Sequence, residues 1–434
     1  MRSPLERAER VSIARGTVAR VAGTPIIALS GLLATAVTVR ATGESAYGLV
    51  ALVATTGLFF PFADLGIGSV VTTAVAQGGA HAADVVRRGF AVLGVVAGGI
   101  VLIAGTMSVF DVWTPVLGGT VGPGGRWILG AAVCLFGLSV PLSLGTRIVL
   151  GLDRNDVVVA MGVVSSLIAT SVAAALYAGG VRGVWFVLPP LTGLLCGNAL
   201  ASAVGLRWSG IGVRDLVRPN PTTHGRLLTG SAWLLVTGLA VPFGLQVQRL
   251  ILSHRASPQQ LSAYSLYAQL YAITWAVFST AALALWPMFV RRRTDIRGTL
   301  VLWRWATLWF TAASAGAAVI LWLLGPVAAS VLSGGIIDAE PRLAGAFAIL
   351  LVAQCMHVTS GMLLTTPAEA RWQSACILAM GTVTIVGGVA VAPSLGAVGV
   401  VLATVVGVVV AQVVPDLAHV PRLIASRRPA GAPA

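Results

Sequence analysis

Apolar runs of about twenty residues recur along the whole chain, and short arginine-bearing segments separate them. Twenty residues is the length a helix needs to cross the hydrocarbon layer of a bilayer. The pattern predicts twelve spanning helices. The first six cover about 18–40, 46–76, 89–110, 127–150, 157–178 and 184–206. The second six cover about 227–253, 262–290, 300–324, 343–365, 374–392 and 395–415. The second run is overlong for one crossing, and the tenth carries Gln354 and His357. Alternating ten-residue strands with a polar lumen, the mark of an outer-membrane barrel, are absent. Composition agrees: 57% of residues are hydrophobic and 10% charged, where soluble domains run at roughly 45–50% and about 25%.

Charge adds an orientation. All 28 basic residues are arginine, and the net charge is +14. With the N-terminus taken as cytoplasmic, twenty arginines fall on inner segments. Five, Arg40, Arg126, Arg182, Arg255 and Arg342, fall on outer ones, and Arg20, Arg249 and Arg304 lie within spans or at their edges. A bias of this size across short loops places both termini in the cytoplasm. Basic and aromatic residues do not interleave on any soluble domain, so no nucleic-acid partner is expected. The opening segment mixes acids with arginines and leads into a span too long for a signal-peptide core, so no cleaved signal is expected. The four cysteines fall within spans without a CxxC pair and read as small packing residues. Trp113, Trp127, Trp185, Trp208 and Trp303 sit near span ends and read as interfacial anchors.

The chain also repeats itself. "SAYGLVA" at 45–51 opens the second span, and "SAYSLYA" at 262–268, displaced by 217 residues, opens the eighth. "VVVAMGVV" at 157–164 and "CILAMGTV" at 376–383 echo each other at an offset of 219. Six spans per repeat is an even number, so both halves enter the membrane from the same side, as a parallel repeat. The longest inner connection, "RWSGIGVRDLVRPNPTTHGR" at 207–226, reads as a linker. The expected organisation is an N-terminal six-helix lobe (1–206), a cytoplasmic linker (207–226) and a C-terminal six-helix lobe (227–434). The fold class expected is an all-α polytopic membrane protein, its two bundles related by the repeat around a central cleft.

The segment "VRATGESAYGLVALVATTGLFFPFADLGIGSVVTTAVAQ" at 39–77 carries a resemblance. It is similar to the opening of the polysaccharide-transport, Wzx-like branch of the multidrug/oligosaccharidyl-lipid/polysaccharide (MOP) exporter superfamily. The matching features are Arg40, the turn Thr42-Gly43-Glu44, Tyr47-Gly48 and Asp64-Leu65-Gly66, and the second half echoes them with Arg255, Ser257-Pro258 and Tyr264. The resemblance implies a flippase of the bacterial inner membrane. Its cargo would be an undecaprenyl-pyrophosphate-linked oligosaccharide moved to the outer leaflet by alternating access. Its partners would be membrane lipids, a polysaccharide polymerase and assembly proteins. Relatives often carry an acid–arginine pair where this chain has Gln248-Arg249. Two alternatives stay open: a cation-coupled multidrug exporter of the same superfamily, and a scaffold for polysaccharide synthesis that transports nothing.

Charge inside a membrane costs roughly 2.5–3.5 kcal/mol on insertion scales, so intramembrane ionisable residues are the candidate site. Arg20 either clamps a pyrophosphate with its planar fork or snorkels to the inner interface. Arg249, with Gln246 and Gln248, either lines the cleft or meets a helix C-terminus at the outer face. Asp64 is either a counter-ion or coupling carboxylate, or a partner for backbone groups freed near Pro61. His357 shares a helix face with Gln354 and either couples to protons or acts as an interhelical donor. No cofactor, metal site or enzymatic constellation is expected: there is no phosphate loop, nucleophile elbow, H-E-x-x-H or pair of cleft-facing carboxylates.

Overall fold

The structure, a computed structural model, describes residues 7–54, 66–118, 124–212, 247–293, 295–338, 340–364 and 367–426. The described residues form helices and short connections, with no strand among them. The chain divides into two compact units, Met1–Gly238 and Leu239–Ala434.

In the first unit the helices are α1 (Arg7–Thr42), α2 (Glu44–Ala54), α3 (Ile67–Gln77), α4 (Ala80–Val109), α5 (Trp113–Leu117), α6 (Gly125–Leu142), α7 (Leu144–Gly151), α8 (Asn155–Ala178) and α9 (Leu188–Ser209). In the second they are α10 (247–255), α11 (Pro258–Ala282), α12 (Leu285–Arg291), α13 (Ile296–Ser333), α14 (Pro341–Leu363), α15 (Pro367–Val408) and α16 (Val414–Ser426), with a π-helical turn at Val409–Val413 joining the last two.

Eight helical stretches among the described residues are long and apolar enough to cross a membrane. Their large apolar side chains point outward: Val95 on α4 is 77% exposed and Trp309 on α13 is 66% exposed. A helix with that surface needs lipid as its solvent, and the protein is a multi-pass membrane protein. Of the expected second span, the described residues form α2 and α3, and 55–65 lie outside the description. The expected eighth span breaks at 283–284 into α11 and α12. Pro287 supplies the reason, since it has no N–H to give the carbonyl one turn earlier. Of the expected seventh span, the described part begins at 247.

The last two expected spans run as one 42-residue helical stretch, α15, broken at Gly396, whose φ of 55° and ψ of −139° suit only glycine. Gly387 lies against Ala403, Gly388 against Val400 and Gly407 against Met380. As the residue number rises on one side of Gly396 it falls on the other, so α15 folds back as an antiparallel hairpin of two crossings.

Each unit packs its helices in a comparable order. In the first, α4 and α6 form an antiparallel pair, with Gly130 against Ser108 and Gly137 against Ile100. In the second, α13 and α14 do the same: Thr307 and Thr359 are 2.7 Å apart, and Trp303 donates to Ser360 at 3.0 Å. Helices α8 and α9 close an antiparallel pair through Gly193 and Gly197 against Ser165, the counterpart of the α15 hairpin. Helix α1 runs parallel to α8, from Gly23 at Val159 to Ser30 at Ser166 and Thr170. In the second unit Ile251 of α10 packs on Gly388. Glycine supplies many of these contacts because it lets backbones approach closely. Both sequence echoes fall on matching elements: 45–51 in α2 and 262–268 in α11, 157–164 in α8 and 376–383 in the first arm of α15.

Candidate functional site

Arg20 sits in α1, one turn before the Gly23 contact, and is half-buried. Asn155, the first residue of α8, faces it. In the orientation that satisfies both groups, the Asn155 amide oxygen accepts from Nε and Nη2 of Arg20 at 3.1 Å each. The guanidinium is therefore held at the α1–α8 contact, with the rest of its fork available. Arg154, just before Asn155, donates to Asp156 at 3.2 Å and lies over the ring of Trp208, 4.6 Å from its centroid. Asp84 takes both Arg87 and Arg88 as partners on α4.

Gln248 and Arg249 lie on α10. Gln248 is 2% exposed and donates to the Thr404 hydroxyl in the second arm of α15 at 3.1 Å. Arg249 is 8% exposed. Its guanidinium carbon lies 5.8 Å from the centre of the Tyr264 ring, within reach of a cation–π attraction that strengthens on desolvation. Tyr264 in turn meets Phe347 at 5.4 Å. Arg249 is thus packed inside the second unit against α11.

His357 on α14 has its Nδ1 2.7 Å from Oδ2 of Asp416 on α16. The contact is an ion pair only when the imidazole carries a second proton. Gln354 on the same face of α14 is buried, as is Gln412 in the π-turn, one helical turn before Asp416. The Oε1 of Gln412 has no hydrogen-bond partner among the described residues. π-turns inside α-helices often occur at functional sites. Below this level Glu369 pairs with Arg293 at 2.6 Å, and Trp372 stacks on His419 at 4.2 Å. The structure does not bring the two groups of the second unit together. Thr404, which holds Gln248, precedes Asp416 by twelve residues of helix, a rise of about 18 Å.

Asp64 and Gln246, both named from the sequence, lie outside the described residues, as does 213–226 of the expected linker. Trp127, Trp185 and Trp208 are exposed near helix ends, as anchors would be. Trp113 and Trp303 are instead buried, and their indole N–H groups donate at 3.0 Å to Ser108 and Ser360. A nearby serine on a packed helix turns these two tryptophans inward.

Sequence reasoning passed over Asp416, Asn155 and Thr404. Asp416 falls one residue beyond the expected end of the last span, whereas the helix continues to Ser426. Its spacing of four from Gln412 was the available signal. Asn155 and Thr404 carry no charge, and nothing in their local sequence distinguishes them from packing or capping residues.

No family model matches the chain, and no curated protein does. Solved structures do. The chain is similar to a multidrug resistance MATE family transporter of the MOP superfamily in its inward-facing conformation, at 15% identity and a TM-score of 0.64, over 94% of this chain and 98% of that one. It is similar to a MOP superfamily transporter from Pyrococcus furiosus at 14% identity and a TM-score of 0.64, over 96% of each chain. The lipid II flippase MurJ, in an inward closed conformation, matches at 11% identity and a TM-score of 0.61, over 93% of this chain and 87% of that one. At these identities the likeness is one of fold: a MATE-like, all-helical membrane fold spanning nearly the whole chain.

Proposed function

We propose that the protein is a transporter of the bacterial inner membrane, both termini cytoplasmic, that flips a polyprenyl-pyrophosphate-linked oligosaccharide from the inner to the outer leaflet by alternating access. The observation that carries this reading is Arg249, a guanidinium almost fully buried in an apolar helix of a fold shared with a flippase and with exporters. A buried intramembrane arginine is costly and is kept where a partner or an anionic ligand uses it. Arg20, held through two of its donors by Asn155, retains donors for a pyrophosphate oxygen. His357 with Asp416 supplies a group that can take up and release a proton during the cycle. Parallel repeats of this kind permit one bundle to rock against the other. The sequence holds no phosphate-loop motif, so an ion gradient rather than nucleotide hydrolysis is the energy source consistent with this reading.

The test replaces Arg20 and Arg249 by Ala, singly and together, and follows outer-leaflet accumulation of the lipid-linked oligosaccharide in cells that depend on the protein. We expect the double variant to lose at least about tenfold in rate while still reaching the membrane, since hydrogen bonds to charged groups contribute about 1.5–3 kcal/mol. Wild-type accumulation in the double variant would remove both arginines from the mechanism.

A further inference from the structure

We propose that the second unit carries a binding site for an anionic saccharide at the end that the arginine bias assigns to the outside, built from three separate connections. The cavity measures about 540 Å³, within the range of roughly 300–1,000 Å³ typical of small-molecule sites. It is formed where α10 passes into α11, where α13 passes into α14, and at the Gly396 break of α15.

Its chemistry is polar. Arg255 from the first connection and Arg342 from the second line it with Glu340 and Gln260. Among the described residues, neither arginine forms an ion pair with Glu340 or with another acid. Two guanidinium groups and one carboxylate therefore share the cavity with a net positive charge and their hydrogen-bonding capacity open. The guanidinium forks suit the planar oxygens of a carboxylate or phosphate. Glu340 can only accept when ionised, and hydroxyl groups are the donors it would meet on a sugar.

Gln260 is positioned by the break itself. Its Oε1 accepts from the Ala397 backbone N–H at 2.6 Å. A methyl group at position 396 would collide with the Gln260 side-chain amide, so the glycine is needed for this seat as well as for its backbone angles. With the oxygen committed, Gln260 offers a ligand the N–H donors of its amide. Donors for an oxyanion and an acceptor for hydroxyls, on rigid helix ends around one cavity, fit a sugar that carries a carboxylate or a phosphate. The saccharide assignment rests on the function proposed above; the anion preference rests on the cavity alone. A site here would receive the charged glycan as it emerges on the outer side.

Binding to the full chain in lipid nanodiscs, measured by isothermal titration calorimetry, tests this without requiring transport. The probes are digalacturonate, glucose 1-phosphate, inorganic phosphate and the neutral disaccharide maltose. We expect one or both charged sugars to bind at least about tenfold more tightly than maltose and than inorganic phosphate. Arg255→Gln and Arg342→Gln should each weaken that binding roughly tenfold, and the pair should abolish it. Digalacturonate alone binding identifies a carboxylate sugar as the ligand, and glucose 1-phosphate alone a phosphorylated one. Maltose binding as tightly as the charged sugars, phosphate binding as tightly as glucose 1-phosphate, or unchanged affinity in the double variant would overturn the proposal. A protein that binds these sugars but fails to flip lipid-linked cargo would refute the transport reading and leave the site in place.

Discussion

Two pairs of largely buried polar side chains in the second unit join different helices, and each makes a separate claim. His357 faces Asp416 at 2.7 Å. Asp416→Asn removes the counter-charge and keeps the shape. We expect thermal melting in detergent to show a loss of about 1–3 kcal/mol and transport to lose its dependence on the proton gradient. Retention of both would leave the pair without a role. Gln248 and Thr404 form a neutral pair. A double-mutant cycle with Gln248→Leu and Thr404→Val should give a coupling of about 0.6 kcal/mol, the average for side-chain hydrogen bonds measured within a membrane protein. The hydroxyl of Tyr267 is buried with no hydrogen-bond partner among the described residues, while its ring stacks on Phe347 at 6.5 Å. Tyr267→Phe should therefore be neutral or slightly stabilising in the same melt, because it removes an unsatisfied polar atom and keeps the ring.

Helices in this chain are defined by apolar length and interrupted where the backbone demands it. Gly396 is such an interruption: its angles lie where side chains are strained, and Gln260 occupies the space that a Cβ would need. Gly396→Ala should lower stability by about 1–3 kcal/mol, with circular dichroism unchanged in helix content. Gly407, helical and packed on Met380, should tolerate Ala only with a shift of its neighbours. Much at this scale was legible beforehand. The separate runs 374–392 and 395–415 anticipate the two arms of the α15 hairpin, and the echoes at 45–51 and 262–268 mark helices in matching places. The break between α11 and α12 was written in Pro287 but masked by the hydrophobicity on either side. The site was less legible, for a physical reason. Charge in an apolar run announces Arg20, Arg249 and His357, but their partners are an amide at a helix start, an aromatic face and a carboxylate beyond the expected span. Only three-dimensional packing joins these.

The whole molecule is a multi-pass helical protein with the fold of MATE-type transporters, and its proposed orientation follows from where its arginines fall. Single cysteines at exposed positions, introduced into a chain whose four native cysteines are replaced by Ala, check that orientation. Arg182→Cys and Arg342→Cys should react with an impermeant maleimide added to intact cells. Arg207→Cys and Arg371→Cys should react only after the membrane is opened, and the reverse pattern would invert the topology. Orientation matters because a flippase must gather anionic headgroups on the cytoplasmic side and release them on the other. The most direct measurement of that claim uses the purified protein in liposomes loaded with a fluorescent polyprenyl-pyrophosphate-linked oligosaccharide. A membrane-impermeant quencher then reports how fast the labelled lipid reaches the exposed leaflet. The account predicts protein-dependent transfer that accelerates with an imposed proton gradient and is lost when Arg20 and Arg249 are both replaced. Transfer no faster than in protein-free liposomes, with the same preparation exporting a cationic dye, would contradict it.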